Sequence, residues 1–383
     1  MRKFRNVMAL LMVLGLVSAA CASDAEPDVS EVAATEATTA VTQAQSGGDT
    51  LADVLARGEL NCGVGGSAVG FSETQTDGSM TGLDADFCRG VAAAVLGDAD
   101  AINWTETTAA ERFEVLAAGT IDVLMRNTTF TQSRDTTLGL DFLPTTYFDG
   151  QGVMGKAEFG FTEDSTLADV DGAVLCTNAG TTTEKNITEG AILHGATIQL
   201  KTVESFSEAM EGFKAGDCDL VTTDASGLFG NRFNAIANGE IAEGDWVVFP
   251  RAPISKEPLG PVVRQNDSVW EDVVRWTIYA IFIADERGVT SANIDEVIAG
   301  IVLNADGNVI EGDPELARLF GVTTGELQSG MGLPADAFYE VIKQVGNYDE
   351  IFSRNLNVLG ISRDGSPNRQ WTDGGLIYAP PAR

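Results

Sequence analysis

The alternation of hydrophobic and polar positions over residues 51–249 is typical of an α/β fold. Short apolar runs that suit buried strands are separated by longer stretches in which apolar residues recur at helical spacing. We predict Asp84 as the N-terminal cap of the first such helix and Gly97 as its stop. The predicted elements are a strand at 60–64, a helix at 84–94, a strand near 102–104, a helix at about 109–118 and a strand at 121–125.

A short pattern occurs twice in this region. Residues 118–124 (Ala-Gly-Thr-Ile-Asp-Val-Leu) close a predicted helix and open a strand, and residues 215–221 (Ala-Gly-Asp-Cys-Asp-Leu-Val) do the same 97 residues later. Each predicted strand runs into a polar, threonine-rich turn, at 126–129 and at 222–224. Such junctions are common in α/β proteins, but the repeat also predicts two similar lobes that present polar turns to a cleft between them.

Two extended segments connect the predicted lobes. Residues 141–154 contain Pro144, and residues 256–263 contain Pro258, which suits extended chain. Residues 268–286 predict an amphipathic helix whose aromatic residues we assign to core packing. The predicted division is lobe 1 at 51–148, lobe 2 at 149–255, a return to lobe 1 at 256–290, and a C-terminal extension packed on lobe 1 at 291–383.

The N-terminus has the composition of an export signal. Basic residues precede an apolar run at 7–17 that is short for a membrane span, and small residues lead to Cys21. We assign residues 1–20 to a signal peptide and leave two outcomes open, lipidation of Cys21 or ordinary cleavage near Ala20. Residues 21–50 are acidic, lack aromatic side chains and predict a disordered tether. We therefore expect the protein in the periplasm or on the outer face of the cell membrane, with Cys21 as its lipid anchor under the first outcome.

The chain is strongly acidic. Its 56 Asp and Glu residues against 24 Lys and Arg residues give a formal net charge of −32. This charge argues against nucleic acid and anionic lipid as partners, because both require basic patches. We interpret most of it as a solvated surface that favours solubility.

Cysteine usage indicates disulfides. Four cysteines follow Cys21 in the sequence: Cys62, Cys88, Cys176 and Cys218. An even number in an exported protein indicates disulfides, and four cysteines allow three pairings, of which neighbourhood in the sequence favours one bridge in each lobe, Cys62–Cys88 and Cys176–Cys218. A metal site is the alternative, but the chain has no Cys-x-x-Cys motif and His194 is its one histidine. We expect neither a metal nor a cofactor.

The stretch 126–135 (Arg-Asn-Thr-Thr-Phe-Thr-Gln-Ser-Arg-Asp) follows directly on an apolar run. Hydroxyl groups and free backbone N–H groups at a strand end, followed by Arg134, are suited to hold a carboxylate, because a guanidinium binds it in bidentate fashion. Taken alone, the stretch fits a polar turn with Arg134 on a solvated helical turn equally well.

Two further polar turns come from the second predicted lobe. Residues 176–186 end a strand and begin a helix, with Thr181 and Glu184 at the spacing of a capping box, and the same turn directs free N–H groups towards an anion. Asp224 is either an ordinary helix cap or the countercharge for an ammonium group. Together with Arg134 these turns complement both charges of an α-amino acid, and a ligand bound by both lobes would close the cleft by hinge motion.

Several segments carry a family resemblance: Gly-Leu-Asp-Ala-Asp-Phe-Cys at 82–88, Val-Leu-Met-Arg-Asn-Thr-Thr at 123–129, Ser-Arg-Asp at 133–135, Gly-Thr-Thr-Thr at 180–183, Thr-Thr-Asp at 222–224, Val-Gly-Asn-Tyr at 345–348 and the C-terminal 371–383. In these segments the chain resembles the periplasmic solute-binding proteins of polar amino acid ABC transporters, particularly the general L-amino-acid-binding subgroup. The resemblance extends in order over residues 51–383.

The resemblance implies an α/β, two-lobe type II periplasmic binding protein fold with a hinge and an interlobe cleft. Arg134 would hold the ligand carboxylate and Asp224 the ammonium group. The full set of ligand-binding residues would be Arg134, Asn127, Thr129, Thr181, Thr182 and Asp224. The implied partners are a free L-amino acid, the permease subunits of an ABC transporter, and the membrane through the lipid anchor. The protein itself would be a monomer and would bind no nucleic acid.

The resemblance also leaves differences and alternatives. Related proteins often place an aromatic side chain in the first turn after the first strand, whereas residues 65–70 are small and the first aromatic residue is Phe71, which predicts a roomier pocket. One alternative function is a ligand-sensing surface domain. Another is a dehydratase-like enzyme on the same fold, but no Ser-His-Asp or Cys-His set can be assembled. We therefore expect a binding protein and not an enzyme.

Overall fold

The computed structural model describes residues 48–383. The predicted signal peptide, Cys21 and the tether up to residue 47 lie outside the described residues. The first helix begins at Thr50, the last residue that we assigned to the tether, and the Thr50 N–H donates to Asp267 Oδ2 at 3.2 Å. Within residues 48–383 no helix is long and apolar enough to cross a membrane.

Residues 48–383 contain seventeen strands arranged in five sheets. In chain order they are β1 (Leu60–Val64), β2 (Ser67–Ala68), β3 (Ser72–Thr74), β4 (Met80–Thr81), β5 (Ile102–Glu106), β6 (Val123–Leu124), β7 (Leu140–Phe142), β8 (Tyr147–Asp149), β9 (Gln151–Lys156), β10 (Val174–Asn178), β11 (Gln199–Val203), β12 (Leu220–Asp224), β13 (Trp246–Phe249), β14 (Glu257–Leu259), β15 (Val262–Arg264), β16 (Val302–Leu303) and β17 (Val309–Glu311).

The same part of the chain contains thirteen α-helices, with 3₁₀ turns at Ala157–Phe159, Leu167–Val170, Asn357–Leu359 and Trp371–Asp373. In chain order the α-helices are α1 (Thr50–Arg57), α2 (Leu83–Leu96), α3 (Arg112–Ala117), α4 (Gln132–Thr137), α5 (Thr182–Leu193), α6 (Phe206–Ala215), α7 (Ala225–Ala237), α8 (Ser268–Glu286), α9 (Ile294–Ala299), α10 (Pro314–Leu319), α11 (Glu326–Ser329), α12 (Ala337–Val345) and α13 (Tyr348–Asn355).

Local sequence accounts for several of these boundaries. The predicted bounds of β1 and α8 are confirmed, and α8 begins where the Asp267 side chain accepts from the Trp270 N–H. Helix α2 ends as predicted at Gly97, which adopts φ 70° and whose N–H bonds to Ala93 O. The prediction that Asp84 caps α2 is wrong, because Asp84 lies inside the helix and its carboxylate accepts from a distant backbone N–H instead.

The first lobe is built on a five-stranded sheet with the order β5-β1-β6-β15-β7. Strands β5, β1 and β6 are parallel, whereas β15, which comes from much later in the chain, pairs antiparallel with β6 and β7. One face of the sheet packs on a large core with α2 and α8, and the other packs on a small cluster that includes Leu116 and Val262. The carboxyl ends of β1, β5 and β6 therefore open on the same edge.

The second lobe repeats this plan with the sheet order β11-β10-β12-β9-β13. Strands β10, β11 and β12 are parallel, and β9 and β13 complete the sheet antiparallel. Successive residues face opposite cores, so that Leu220 and Val221 are both fully buried but belong to clusters on the two sides of the sheet. The repeated Ala-Gly junctions at 118–119 and 215–216 end α3 and α6 and lead into β6 and β12.

Two strands that run side by side connect the lobes. Strand β8 leaves the first lobe and β14 returns to it, and they pair antiparallel with Tyr147 opposite Leu259 and Asp149 opposite Glu257. The segments predicted as extended crossovers thus form a two-stranded hinge. The peptide bond between Phe249 and Pro250, which precedes the return, is cis.

The C-terminal residues contribute to the core of the first lobe. Helices α12 and α13 pack against α2 and α8, and Phe338, Tyr348 and Phe352 are fully buried there. The Tyr348 hydroxyl donates to Thr146 O at 2.8 Å, immediately before the hinge strand β8. The C-terminal residues therefore support the hinge as well as the core.

Each lobe contains one disulfide. Cys62 of β1 is bonded to Cys88 of α2, and Cys176 of β10 is bonded to Cys218, in the turn between α6 and β12. This pairing is the one favoured by the sequence. Each bond ties a strand of the sheet to a helix or turn packed beside it, and so restrains the sheet from whose strand ends the polar turns project.

Candidate functional site

A cavity of about 330 Å³ lies between the two lobes. It is bounded by the turns that follow β1, β5 and β6 in the first lobe and by those that follow β10, β11 and β12 in the second. Polar side chains from both lobes line it, among them Arg112, Arg126, Asn127, Thr129, Thr181, Thr182 and Asp224. Carboxyl ends of strands in both lobes therefore converge on one cleft.

The structure brings five of the six predicted ligand residues to this cavity, and Arg134 is the exception. The Arg134 side chain lies behind Thr129, where Nη1 donates to Thr129 O at 2.9 Å and Cζ lies 5.2 Å from the centre of the Phe113 ring. Burial lowers the pKa of Arg134, while the nearby carboxylates of Glu257 and Asp224 act in the opposite direction. Arg134 therefore lies next to the cavity without lining it, and its guanidinium is bound to the backbone of the turn at Thr129.

The turn that carries Asn127 is shaped by Asp84. Asn127 adopts φ 29°, a left-handed conformation that asparagine tolerates better than most residues. Its N–H donates to Asp84 Oδ2 at 2.6 Å. Burial raises the pKa of Asp84 to about 6, against the opposing effects of this hydrogen bond and of Arg126. Asp84 is therefore a tertiary support of the turn and not the local helix cap that the sequence suggested.

In the second lobe the turn before α5 is capped only in part as predicted. Thr181 is the N-cap and its side chain accepts from the Glu184 N–H at 3.0 Å. The Glu184 carboxylate, however, accepts from the Gly180 N–H at 2.9 Å and not from Thr181, so the reciprocal half of the capping box is absent. Gly180 has φ 75°, and a Cβ there would lie 2.9 Å from Ala110 Cα of the first lobe, so that only glycine fits this approach.

Glu257 of the hinge strand β14 connects both lobes and is not among the residues predicted from the sequence. Its Oε2 accepts from the Thr129 hydroxyl at 2.7 Å and from the Thr182 hydroxyl at 2.8 Å, while Oε1 accepts from Asn186 Nδ2 at 2.8 Å and from the Ser255 hydroxyl. The side chain is fully buried. The available signal was a charged residue within the otherwise apolar crossover 257–263.

Asp224 does not cap α7, although it occupies the N-cap position. Its carboxylate is buried and has one long contact, to Asn127 Nδ2 at 3.5 Å. Burial raises the pKa of Asp224 well above its usual range, and the neighbouring carboxylates of Asp149 and Glu257 raise it further. The interpretation of Asp224 as an ordinary helix cap is therefore wrong.

Arg112, at the start of α3, is a second residue that sequence reasoning missed. It is 3% exposed, lines the cavity, and its Nε has no hydrogen-bond partner among residues 48–383. Burial lowers the pKa of Arg112, and the positive charges of Arg126 and Arg134 lower it further. Within the described part of the chain, neither Arg112 nor Asp224 forms an ion pair.

The cleft therefore presents separated, desolvated charges of both signs. The cationic wall consists of Arg112 and Arg126, with Arg134 behind it, and the buried anionic group that faces them is Asp224. The other acidic side chains that line the cavity are exposed: Glu106, Glu111, Glu204 and Glu208. The turn after β1 adds only small side chains up to Phe71, whose ring packs edge-on against Tyr147 at 5.2 Å. In residues 48–383 no group of three or more His, Cys, Asp or Glu side chains is placed to hold a metal ion. Such a site suits a small zwitterion.

Comparison with known proteins gives consistent matches. Residues 60–287 match the family model of the bacterial extracellular solute-binding proteins, family 3. The chain is 42% identical over 337 residues to the glutamate/glutamine/aspartate/asparagine-binding protein BztA of Rhodobacter capsulatus, covering 87% of this chain and 93% of that protein. It is 41% identical over 342 residues to the general L-amino acid-binding periplasmic protein AapJ of Rhizobium johnstonii, with the same coverage of 87% and 93%.

A solved structure extends this similarity to three dimensions. An ABC transporter periplasmic binding protein from Brucella ovis with glutathione bound is 40% identical and matches with a TM-score of 0.79. The match covers 88% of this chain and all of that one.

Proposed function

The chain belongs to the bacterial extracellular solute-binding proteins, family 3, and on that premise we propose that it captures L-amino acids outside the cytoplasm and delivers them to the permease of an ABC transporter. Its fold is the two-lobe type II fold of periplasmic binding proteins. The observation that carries the proposal is the pair of unpaired charges, Asp224 and Arg112, on one interlobe cavity. The ammonium group of an amino acid would find its partner in Asp224, and a side-chain carboxylate or carbonyl would find its partner in Arg112, while the α-carboxylate would bind at the neighbouring turn of Asn127 and Thr129.

The proposed ligand pose follows the charges. The ammonium group binds the Asp224 carboxylate, which has no cation bound to it among residues 48–383. The α-carboxylate binds at the turn of Asn127 and Thr129, where Arg134 supplies the positive charge and Thr182, next to Thr181, approaches from the other lobe. The hydroxyls of Thr129 and Thr182 each have one hydrogen and donate it to the Glu257 carboxylate. To donate to the ligand's α-carboxylate, they must therefore give up the hydrogen bond to Glu257.

Arg112 extends the proposal to the side chain of the ligand. A buried guanidinium without a counter-ion is costly, and a second acidic or carbonyl group on the ligand would satisfy it. The relative BztA is named for binding glutamate, glutamine, aspartate and asparagine, and the Brucella protein holds glutathione, a tripeptide with two carboxylates. We propose that this chain prefers ligands with such a group. The relatives of this chain are named as binding proteins, and we infer that the ligand leaves the site chemically unchanged.

The proposed location is the extracytoplasmic face of the membrane, where the lipidated Cys21 and the acidic tether would hold a monomeric binding domain near its permease. A tether of about 30 residues would let the domain reach the transporter without leaving the membrane.

Substitution of Arg134 tests the carboxylate site. Arg134→Ala should weaken binding of the best amino acid by about 2 kcal/mol, or roughly thirtyfold, because a buried charged partner is lost. The measurement is a thermal-shift screen of the twenty amino acids followed by calorimetry. The control is Arg251→Ala, since the Arg251 side chain is 64% exposed and lies in surface ion pairs. Unchanged affinity in Arg134→Ala would remove Arg134 from the site, and a screen without any stabilising amino acid would overturn the proposed function.

Substitution of Arg112 tests the side-chain preference. Arg112→Met should weaken glutamate binding about tenfold or more while leaving alanine binding within about twofold, since only glutamate offers a second carboxylate. Replacing a buried unpaired charge by an apolar side chain should not lower the free energy of unfolding, which denaturant titration checks. Equal losses for glutamate and alanine would contradict the assignment.

Proton release tests the role of Asp224. Burial and the carboxylates of Asp149 and Glu257 raise the pKa of Asp224, so protonation of this carboxylate competes with ammonium binding at a higher pH than for a free aspartate. An ammonium group stabilises the ionised form, so binding should release protons and affinity should rise as the pH is raised from 5 to 8. Calorimetry in two buffers of different ionisation enthalpy measures the protons released. Asp224→Asn should abolish the release, and buffer-independent heats with flat affinity in the wild type would refute the role.

Membrane fractionation tests the anchor. Cys21→Ala should move the protein from the membrane fraction to the soluble fraction, because the acyl chains are lost. The matched control is Ser18→Ala, which keeps the cysteine. Retention of Cys21→Ala in the membrane fraction would count against lipidation.

A further inference from the structure

The C-terminal residues contact the second lobe as well as the first. The 3₁₀ turn Asn357–Leu359 follows α13 and lies next to α7 of the second lobe. This turn is anchored on the first lobe, since Arg354 Nε and Asn355 Nδ2 contact the carboxylate of the buried Asp86 in α2 at 2.7 and 2.6 Å. The turn is therefore a fixed projection of the first lobe that reaches the second.

The contact is apolar and close. The Leu359 side chain lies between Gly70 of the first lobe and Gly230 of the second. A Cβ added at Gly70 would lie 2.8 Å from Leu359 Cδ1, and one added at Gly230 would lie 3.5 Å from the same atom. Val69 also contacts this part of α7, since its Cγ1 would lie 3.0 Å from a Cβ added at Gly230. Phe233 of α7 packs near Gly360, where an added Cβ would lie 3.6 Å from Phe233 Cδ2. Glycine within a helix is unfavourable relative to alanine, and this close approach accounts for Gly230 in α7.

This apolar contact is separate from the charged site. Leu359, Gly230, Phe233 and Gly360 do not line the interlobe cavity, and Val69 alone of the group does. A ligand in the cavity would therefore leave most of the contact untouched. Lobe separation about the hinge would break it, because its two sides belong to different lobes.

We propose that Val69 and Leu359 on the first lobe, with Gly230 and Phe233 on the second, form an interlobe latch through which the C-terminal residues favour the closed form. The proposal rests on the proposed function only in that ligand binds the closed cleft. An interaction made in the closed form alone shifts the open–closed equilibrium, and so strengthens the binding of every ligand by the same factor. The latch sets affinity, whereas Arg112 sets selectivity.

The test uses Leu359→Ala and, from the other lobe, Phe233→Ala. The Phe233 side chain is 40% exposed and is not part of the hydrophobic core of the first lobe. Each should weaken binding of L-glutamate and L-alanine by the same factor, about fivefold, through lost apolar contact. Small-angle scattering of the unliganded variants should give a larger radius of gyration than the wild type. Val358→Ala, a 58% exposed neighbour in the same turn, is the matched control and should change neither quantity.

Three outcomes would overturn the latch. These are unchanged affinity and radius in Leu359→Ala and Phe233→Ala, losses that differ between the two amino acids, or an equal effect of Val358→Ala. If no amino acid binds the wild type, the proposed function fails, and the scattering comparison still decides whether these residues hold the lobes together.

Discussion

The carboxylate of Glu257 is the interaction on which the geometry of the cleft depends. It is buried on the hinge strand and accepts from hydroxyls of both lobes, Thr129 and Thr182, and from Asn186. A buried carboxylate needs several donors to offset its desolvation, and here they come from the turn of Thr129, from helix α5 and, through Ser255, from the segment before β14. Satisfying this one charge therefore fixes the position of two polar turns relative to the hinge. Because the same hydroxyls face the cavity, the fold and the site share a single hydrogen-bond network.

Around this satisfied charge lie two that the protein does not satisfy. Arg112 and Asp224 are buried, close enough for each to shift the pKa of the other, and not paired within residues 48–383. A fold selected for stability alone would gain from replacing them by apolar groups. Their retention in a cavity of both lobes makes sense if a ligand supplies the missing partners, since ligand binding then recovers a desolvation cost already met on folding. The perturbed pKa values mark a binding site for the same physical reason.

Sequence reasoning succeeded where the information is local. The period of apolar residues predicted β1 and α8 to their end residues, and the Ala-Gly junctions predicted two similar lobes. It failed where a side chain acts over a long sequence separation. Asp84 fits a helix cap locally, but its partner is the N–H of Asn127, 43 residues away, and Glu257 acts on Thr129, 128 residues away. Arg112 carried no local signal at all, since what distinguishes it is the absence of a partner in a folded environment.

The C-terminal residues change how closure of such a cleft is understood. In a minimal two-lobe protein, only the hinge and the ligand set the distance between the lobes. Here Tyr348 supports the chain at Thr146 before the hinge, and the turn that follows α13 places Leu359 against α7. The segment from α13 to the turn Asn357–Leu359 therefore contacts the residue before hinge strand β8, the hydrophobic core of the first lobe and α7 of the second lobe. Motion of the lobes must then be resisted by apolar contact as well as by hinge stiffness, and this resistance is independent of ligand chemistry. Affinity can consequently change through Leu359 in the C-terminal turn, and selectivity can change separately through Arg112 in the cationic wall.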